Sequence, residues 1–130
     1  MVEGLIEIQD DDGAGLLIIN IPEFWERILA FKSKVTIPLL AIDDIVSDPA
    51  IIKRTISGSF RILGTSFGFN VGTFYKSGRG TAFFFFRKMD KSIMLAMKSS
   101  YKYKIIVIEV QDKEKTSSMI RNAIGNTEGL

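Results

Sequence analysis

The sequence has no cysteine, no histidine and only three prolines. Without cysteine the chain forms no disulfide and offers no thiolate to a zinc ion. Without histidine it also lacks the commonest acid–base residue and the commonest metal ligand in proteins. These absences predict a non-enzymatic protein, and we expect no catalytic residue, no cofactor and no bound metal.

Long apolar runs are also missing. No run approaches the roughly 18 residues of a membrane span, and the opening MVEGLIEIQDDD lacks the basic start and apolar core of a signal peptide. We therefore predict a cytoplasmic protein. A chain of 130 residues is long enough to bury a core as one domain. We place that domain at residues 1–125 and a frayed tail at residues 126–130.

The charges are distributed unevenly along the chain, although the net charge is only +2. Residues 1–50 contain ten acidic residues against three basic ones, whereas residues 51–111 contain eleven basic residues against two acidic ones. In a small β-fold the two segments interleave, so the charges either mix on the surface or form a functional basic patch. Both interpretations stay open at this point.

The segment from Ser57 to Val110 contains most of the strand signal. Five runs of β-branched, aromatic and aliphatic residues alternate with breaks rich in glycine, serine and lysine, at a spacing of roughly ten residues. This pattern predicts an antiparallel meander. Gly58, Gly64, Gly68 and Gly72 are expected at the turns and bulges where the strands bend. The fold class is therefore mainly β, as a small antiparallel barrel or sandwich.

A hairpin is predicted upstream, where two apolar segments flank DDDGAG and Asp-Gly supplies the turn. Asp10 and Asp12 with Gly13 also suggest a calcium loop. The twelfth position counted from Asp10 is Ile21, however, where an EF-hand needs a bidentate glutamate. We favour the turn.

Two helices are predicted outside the meander. Pro22 and an apolar stripe containing Trp25 indicate a helix over about residues 22–31, with Trp25 in the core. Asp112 is expected to cap a second helix over about residues 113–124, which ends at Gly125. Its buried stripe is predicted to contain Thr116, Met119, Ile120, Ala123 and Ile124.

The sequence has no carboxylate pair and no phosphate-binding loop of the kinds that catalysis or nucleotide binding would need. Asp43 and Asp44 are adjacent, so on a strand they point to opposite faces and make no carboxylate pair. The stretch GSFRILGTS has neither the spacing nor the lysine of a phosphate-binding loop. The segment from Ser47 to Thr55 is interpreted as an irregular connection or one helical turn.

Three stretches carry a resemblance to known proteins: FWERILAFKSKVTIPLLAIDDI, GSFRILGTSFGFNVGTFYKSGRGTAFFFF and YKIIVIEVQDKEKTSSMI. Together they resemble a group of uncharacterised bacterial and archaeal pleckstrin-homology (PH)-like proteins, and the resemblance covers about residues 15–125. It implies a PH-like barrel with a closing helix and a non-enzymatic binding role. Lipid-binding members carry a basic loop between their first two strands, whereas the turn here is DDDGAG. Phosphoinositide binding is therefore not expected.

Three functional classes follow. The first is a binding or scaffolding module that acts through protein contacts. The second is an enzyme, for which the sequence offers no group of catalytic residues. The third is the binding of nucleic acid or an anionic membrane by the basic segment. Its leading anion-binding candidates are Lys53, Arg54, Arg61, Lys76 and Arg79. Further candidates are Arg87, Lys88, Lys98, Lys102 and Lys104, with Phe60, Phe74, Tyr75, Tyr101 and Tyr103 as stacking residues.

The four consecutive phenylalanines Phe83, Phe84, Phe85 and Phe86 carry one further prediction. Only alternate side chains of a strand face the core, so either the odd or the even pair is expected to point outward. A large exposed aromatic patch usually marks an interface. We therefore predict a homo-oligomer with these phenylalanines in the contact.

Overall fold

The structure is a computed structural model, and it describes residues 6–11, 14–20, 34–65, 70–78 and 80–128. These residues form nine strands and two helices. The helices are α1 (Pro49–Ile56) and α2 (Lys113–Glu128). The strands are β1 (Ile6–Asp11), β2 (Ala14–Asn20), β3 (Lys34–Pro38), β4 (Ile42–Val46), β5 (Phe60–Thr65), β6 (Asn70–Lys76), β7 (Gly80–Phe86), β8 (Ser92–Met97) and β9 (Ile105–Glu109).

The strands make two sheets. One has the order β1-β2-β3, and the other has the order β4-β8-β9-β7-β6-β5. The mainly β prediction is confirmed, but the described strands form no closed barrel, because β4 and β5 are free edges of the larger sheet. A pure antiparallel meander is also wrong, since β7 and β9 run parallel. Strand β9 lies between β8 and β7 in the sheet, so β7 and β8, which are consecutive in the sequence, do not pair with each other.

The larger sheet is covered on both faces. On one face, apolar residues of β2 and β3 pack against it, together with Ile120 of α2. On the other face, Ile52 of α1 packs with Phe84, Phe86 and Met94. Strands covered on both faces read as continuous apolar runs. This burial explains why β9, with the sequence IIVIE, is buried at every position.

The first hairpin is confirmed. Strands β1 and β2 pair antiparallel, with Asp11 opposite Ala14 on either side of the turn. The predicted helix over residues 22–31, with Trp25, lies outside the described residues.

The segment after β4 is a regular helix, so the helical alternative is correct and the irregular connection is wrong, although the helix is longer than the one predicted turn. Asp48 caps α1 by accepting a hydrogen bond from the Ala50 N–H at 2.9 Å, and Pro49 occupies the first turn. The helix ends at Ser57, and Gly58 then takes a positive φ of 89° that favours glycine. The sequence contains both the start signal, Asp48-Pro49, and the stop signal, Gly58. The helix between them has only two turns, so its apolar periodicity is short.

Helix α2 begins as predicted and differs at two later points. The Asp112 carboxylate accepts the Lys115 N–H at 3.1 Å, and Ile120 is fully buried. Met119 is 40% exposed, so the buried stripe is shifted toward Ser117. Gly125 does not end the helix, which continues to Glu128, because glycine only weakens a helix interior.

All four phenylalanines of β7 are buried, with no more than 4% of any side chain exposed. Phe83 and Phe85 belong to the core between the sheets, whereas Phe84 and Phe86 lie under α1. The expectation that one pair points into solvent is wrong, because α1 supplies the missing cover. Strand β7 also lies between β6 and β9, so it has no free edge. The argument from these residues to a homo-oligomer loses its premise.

Candidate anion-binding site

Basic residues from three distant segments lie on or next to the last turn of α1. Lys53 and Arg54 are exposed in the last turn of this helix, Lys76 ends β6, and Lys104 precedes β9. We call these four residues the basic cluster. Lys53, Arg54 and Lys76 were leading candidates from the sequence, and Lys104 was among the further ones.

Lys76 joins the β6–β7 hairpin to the helix. Its ammonium group donates to the carbonyl oxygen of Thr55 at 2.8 Å and reaches that of Arg54 at 3.5 Å. These carbonyls belong to the last turn of α1, where helical C=O groups lack partners and the helix dipole is negative. The Lys76 ammonium is therefore stabilised by the C-terminal end of α1, and the same contact holds it against the backbone of Arg54.

Lys104 approaches from the other side of the hairpin. Its backbone N–H donates to the Thr81 carbonyl at 2.8 Å, and its side chain crosses over Gly80. A Cβ added to Gly80 would lie 3.0 Å from Lys104 Cγ, and the φ of Gly80 is 99°. Glycine is therefore required at position 80, where the Lys104 side chain passes over the backbone. The Lys104 ammonium donates to carbonyls of the preceding loop, including that of Tyr101 at 3.1 Å.

Lys76 and Lys104 line a shared narrow cleft. Its cavity volume is only about 10 Å³, enough for a water molecule but not for an organic ligand. No carboxylate is among the described residues that line it, which are Thr55, Ile56, Ser59, Lys76, Gly80, Thr81, Ala82, Phe84, Lys104 and Ile105. The cleft is thus a narrow crevice lined by two lysines rather than a pocket that encloses a ligand.

Two of the three hydroxyl groups that line the cleft are engaged within the protein. Thr55 Oγ1 donates to the Ile51 carbonyl at 2.8 Å, and Ser59 Oγ donates to the Ile56 carbonyl at 2.6 Å. The hydroxyl of Thr81 and the charged lysine groups are therefore the side-chain donors that the cleft offers to an anion. A lysine has three N–H donors, and the two carbonyls near Lys76 use at most two of them.

The remaining basic candidates lie elsewhere or outside the description. The side chain of Arg61 and all of Arg79 are outside the described residues. Arg87 and Lys88 are exposed at the end of β7, where their backbone N–H groups both donate to Glu109 Oε1 at 2.8 Å. The Lys102 ammonium lies over the Tyr103 ring, 5.3 Å from its centroid.

Most of the proposed stacking aromatics are unsuited to that role. Phe74 and Tyr103 are each only 4% exposed, and Phe74 stacks on Phe84 with ring centroids 4.5 Å apart. Tyr75 is 37% exposed, but side chains alternate along a strand, so it points away from the face of β6 that carries Lys76. The basic cluster therefore has no aromatic platform among these three residues.

Glu109 is a structural residue that sequence reasoning did not single out. Its side chain is 5% exposed, and one carboxylate oxygen holds two successive N–H groups of the β7–β8 connection. Ser92, opposite Glu109 in the sheet, donates to the Lys88 carbonyl of the same connection at 2.7 Å. The available signal was an acidic residue at the end of an otherwise apolar strand.

Comparison with protein-family models, with curated proteins and with solved structures finds no match for this chain. Among the described residues there is no group of three or more carboxylates placed to hold a metal ion. No helix in the described ranges is long and apolar enough to cross a membrane.

Proposed function

We propose that this protein is a non-enzymatic binding module that holds an anionic partner through the basic cluster. The observation that carries the proposal is the contact of the Lys76 ammonium with backbone carbonyls in the last turn of α1, the turn that also carries Lys53 and Arg54. Lys104 lines the same cleft as Lys76, next to Thr55 and Ile56 at the end of the helix that carries Lys53 and Arg54.

Charge is the chemistry that this surface offers. Phosphate, sulfate and carboxylate groups accept strong hydrogen bonds from lysine and arginine. Lys53 and Arg54 are exposed, and within the described ranges no carboxylate forms an ion pair with a member of the cluster. An anionic partner would thus meet cations that are not neutralised by neighbouring acids.

The partner is bound by its backbone charge rather than by its bases. Sequence-tolerant binding of single strands relies on aromatic stacking beside a positively charged groove. Phe74 and Tyr103 are buried, so they are not available as stacking surfaces. A polyanion with closely spaced charges is the class of partner that this arrangement favours.

Heparin retention tests the proposal. Lys53→Glu/Arg54→Glu should elute at a clearly lower salt concentration than the wild type. The matched control is Lys34→Glu/Lys115→Glu, which changes the net charge equally at two exposed sites on β3 and α2. Equal elution of the two double variants would show that only net charge matters and would contradict a site at α1.

Two further binding measurements on the same variants distinguish the possible classes of anionic partner. A labelled DNA duplex reports on nucleic acid, and vesicles with phosphatidylserine, compared with neutral vesicles, report on a membrane surface. Retention on heparin alone would leave a sulfated or carboxylated polymer as the partner class. In each arm the two double variants are compared under the same salt.

The PH-like resemblance belongs with this proposal as an interpretation of the fold. A closing C-terminal helix packed on β-structure supports it. The parallel pairing of β7 with β9 and the insertion of α1 over the larger sheet weigh against it. Binding through the basic cluster does not depend on that kinship.

A further inference from the structure

Strand β4 is a free edge of the six-stranded sheet, and its outward main-chain groups are occupied by side chains. At Ile45 the N–H donates to Asp44 Oδ1 at 2.8 Å, and the carbonyl accepts from Arg121 Nη2 at 2.7 Å. Two residues further on, the Ser47 carbonyl accepts from Lys113 Nζ at 2.8 Å. Arg121 and Lys113 both belong to α2.

These groups are the ones that an added strand would use. In an antiparallel pair, alternate residues direct both N–H and C=O groups to the same side. Ile45 lies opposite Leu95 of β8, yet its N–H and C=O are bonded to Asp44 and Arg121. Its main chain is therefore turned outward. An exposed edge of this kind is a template for pairing with another chain.

We propose that Asp44 and Arg121, the edge-capping pair, keep β4 from pairing with β4 of a second copy of this chain. The partner fits because an antiparallel pair centred on Ile45 places Asp44 of one copy opposite Val46 of the other. In the same register Asp43 lies opposite Ser47, so no carboxylate is directly opposite another. Like charges directly opposite would destabilise the pair.

The surroundings of this edge leave room for a strand. A groove with a cavity volume of about 350 Å³ lies between β4 and α2. It is lined by Ile42, Asp43, Asp44, Ile45, Lys98, Arg121 and Ile124. The Arg121 side chain lines this groove and donates to the Ile45 carbonyl, so it occupies the acceptor that an added strand would need.

The test is the mass of Asp44→Ala/Arg121→Met in sedimentation equilibrium. The two proteins are compared at a concentration where the mass of the wild type does not change on dilution. The variant should approach twice that mass. Lys115→Met is the control, since Lys115 is exposed on the same helix and its side chain donates to no described residue. A folded double variant with the mass of the wild type at every concentration overturns the proposal.

Disulfide cross-linking tests the register of the proposed β4–β4 pair. Because the natural sequence has no cysteine, any disulfide must form between the introduced cysteines. In the double-variant background, a mixture of Asp43→Cys and Ser47→Cys proteins should cross-link to each other and each should cross-link poorly to itself. Association without this preference would refute pairing at β4. Circular dichroism checks folding. If the double variant unfolds, Asp44→Ala alone, which frees the Ile45 N–H and leaves the sequence of α2 unchanged, must give the 43–47 cross-link above the wild-type background, or the proposal fails.

Discussion

The ammonium group of Lys76 lies 2.8 Å from the carbonyl oxygen of Thr55, across a separation of 21 residues. This contact fixes the β6–β7 hairpin against the end of α1 and places Lys76 next to Arg54. It is a structural contact, because it satisfies a helix C-terminus. It also creates the basic cluster, because the partner of a C-terminal carbonyl is a cation.

Removing the Glu109 carboxylate should destabilise the protein markedly. Glu109→Ala leaves two backbone N–H groups without their acceptor, and hydrogen bonds to a charged group contribute about 1.5 to 3 kcal/mol each. Both bonds are only part-buried, so water can replace some of the lost interaction. We therefore expect a loss smaller than their sum, about 2 to 4 kcal/mol in the free energy of unfolding, measured by urea denaturation. Glu109→Gln keeps an acceptor oxygen and should lose clearly less. Equal losses for the two variants would contradict this account.

The stacked pair Phe74 and Phe84 should be energetically coupled. Phe84→Ala opens a cavity under α1 and should cost about 3 to 5 kcal/mol. A double-mutant cycle with Phe74→Leu should give a coupling of about 0.5 to 1.5 kcal/mol. Additive losses would mean that the rings contribute independently, contrary to their centroid distance of 4.5 Å.

Replacing Ser117 should stabilise the protein. Its hydroxyl is buried and, alone among the described side-chain polar atoms of this kind, has no hydrogen-bond partner. Ser117→Ala removes that group and adds helix propensity, so we expect a gain of about 1 kcal/mol in the free energy of unfolding. Ser118→Ala, at an exposed position of the same helix, supplies the control for propensity alone. A gain no larger than that of the control would disprove the effect of burial.

Much of the fold was predictable because its signals are local. The hairpin between β1 and β2, the β-rich segment and the cap at Asp112 each depend on neighbouring residues. The position of β9 between β8 and β7 depends on long-range pairing, which alternation within a strand does not encode. The same limit applies to Phe84 and Phe86, whose cover is a helix that lies about 30 residues earlier in the sequence.

The candidate site was predictable in its charge and not in its geometry. The basic excess of residues 51–111 identified Lys53, Arg54 and Lys76, but equally Arg87 and others that lie apart from them. The selection among these cations follows from the two-turn helix α1, for which the sequence predicted either an irregular connection or a single helical turn. Burial of Phe74 and Tyr103, which removed them as stacking residues, depends on tertiary packing.

The hydroxyl of Tyr101 donates to the Thr36 carbonyl of β3 at 3.2 Å and should make stability depend on alkaline pH. Burial, with a smaller effect from Tyr103, raises the pKa of Tyr101 above its usual value of 10.0. The unfolded chain therefore ionises first, and the stabilisation present below pH 10 is lost as the pH rises through the folded pKa. Tyr101→Phe lacks this ionisation. Its stability difference from the wild type should shrink between neutral and alkaline urea titrations, and a constant difference would contradict the assignment.

The most direct test of the central claim is the salt dependence of binding to a labelled DNA duplex, measured by fluorescence anisotropy. For a polyanion bound by charge, the logarithm of the binding constant falls linearly with the logarithm of the salt concentration, with a slope of about −0.9 for each phosphate contact. Lys53→Ala/Arg54→Ala should make the slope shallower by about 2, because two cations of the basic cluster are lost. Lys34→Ala/Lys115→Ala should leave it almost unchanged. Equal slopes for the wild type and the cluster variant, or equal changes in both double variants, would contradict binding at the basic cluster.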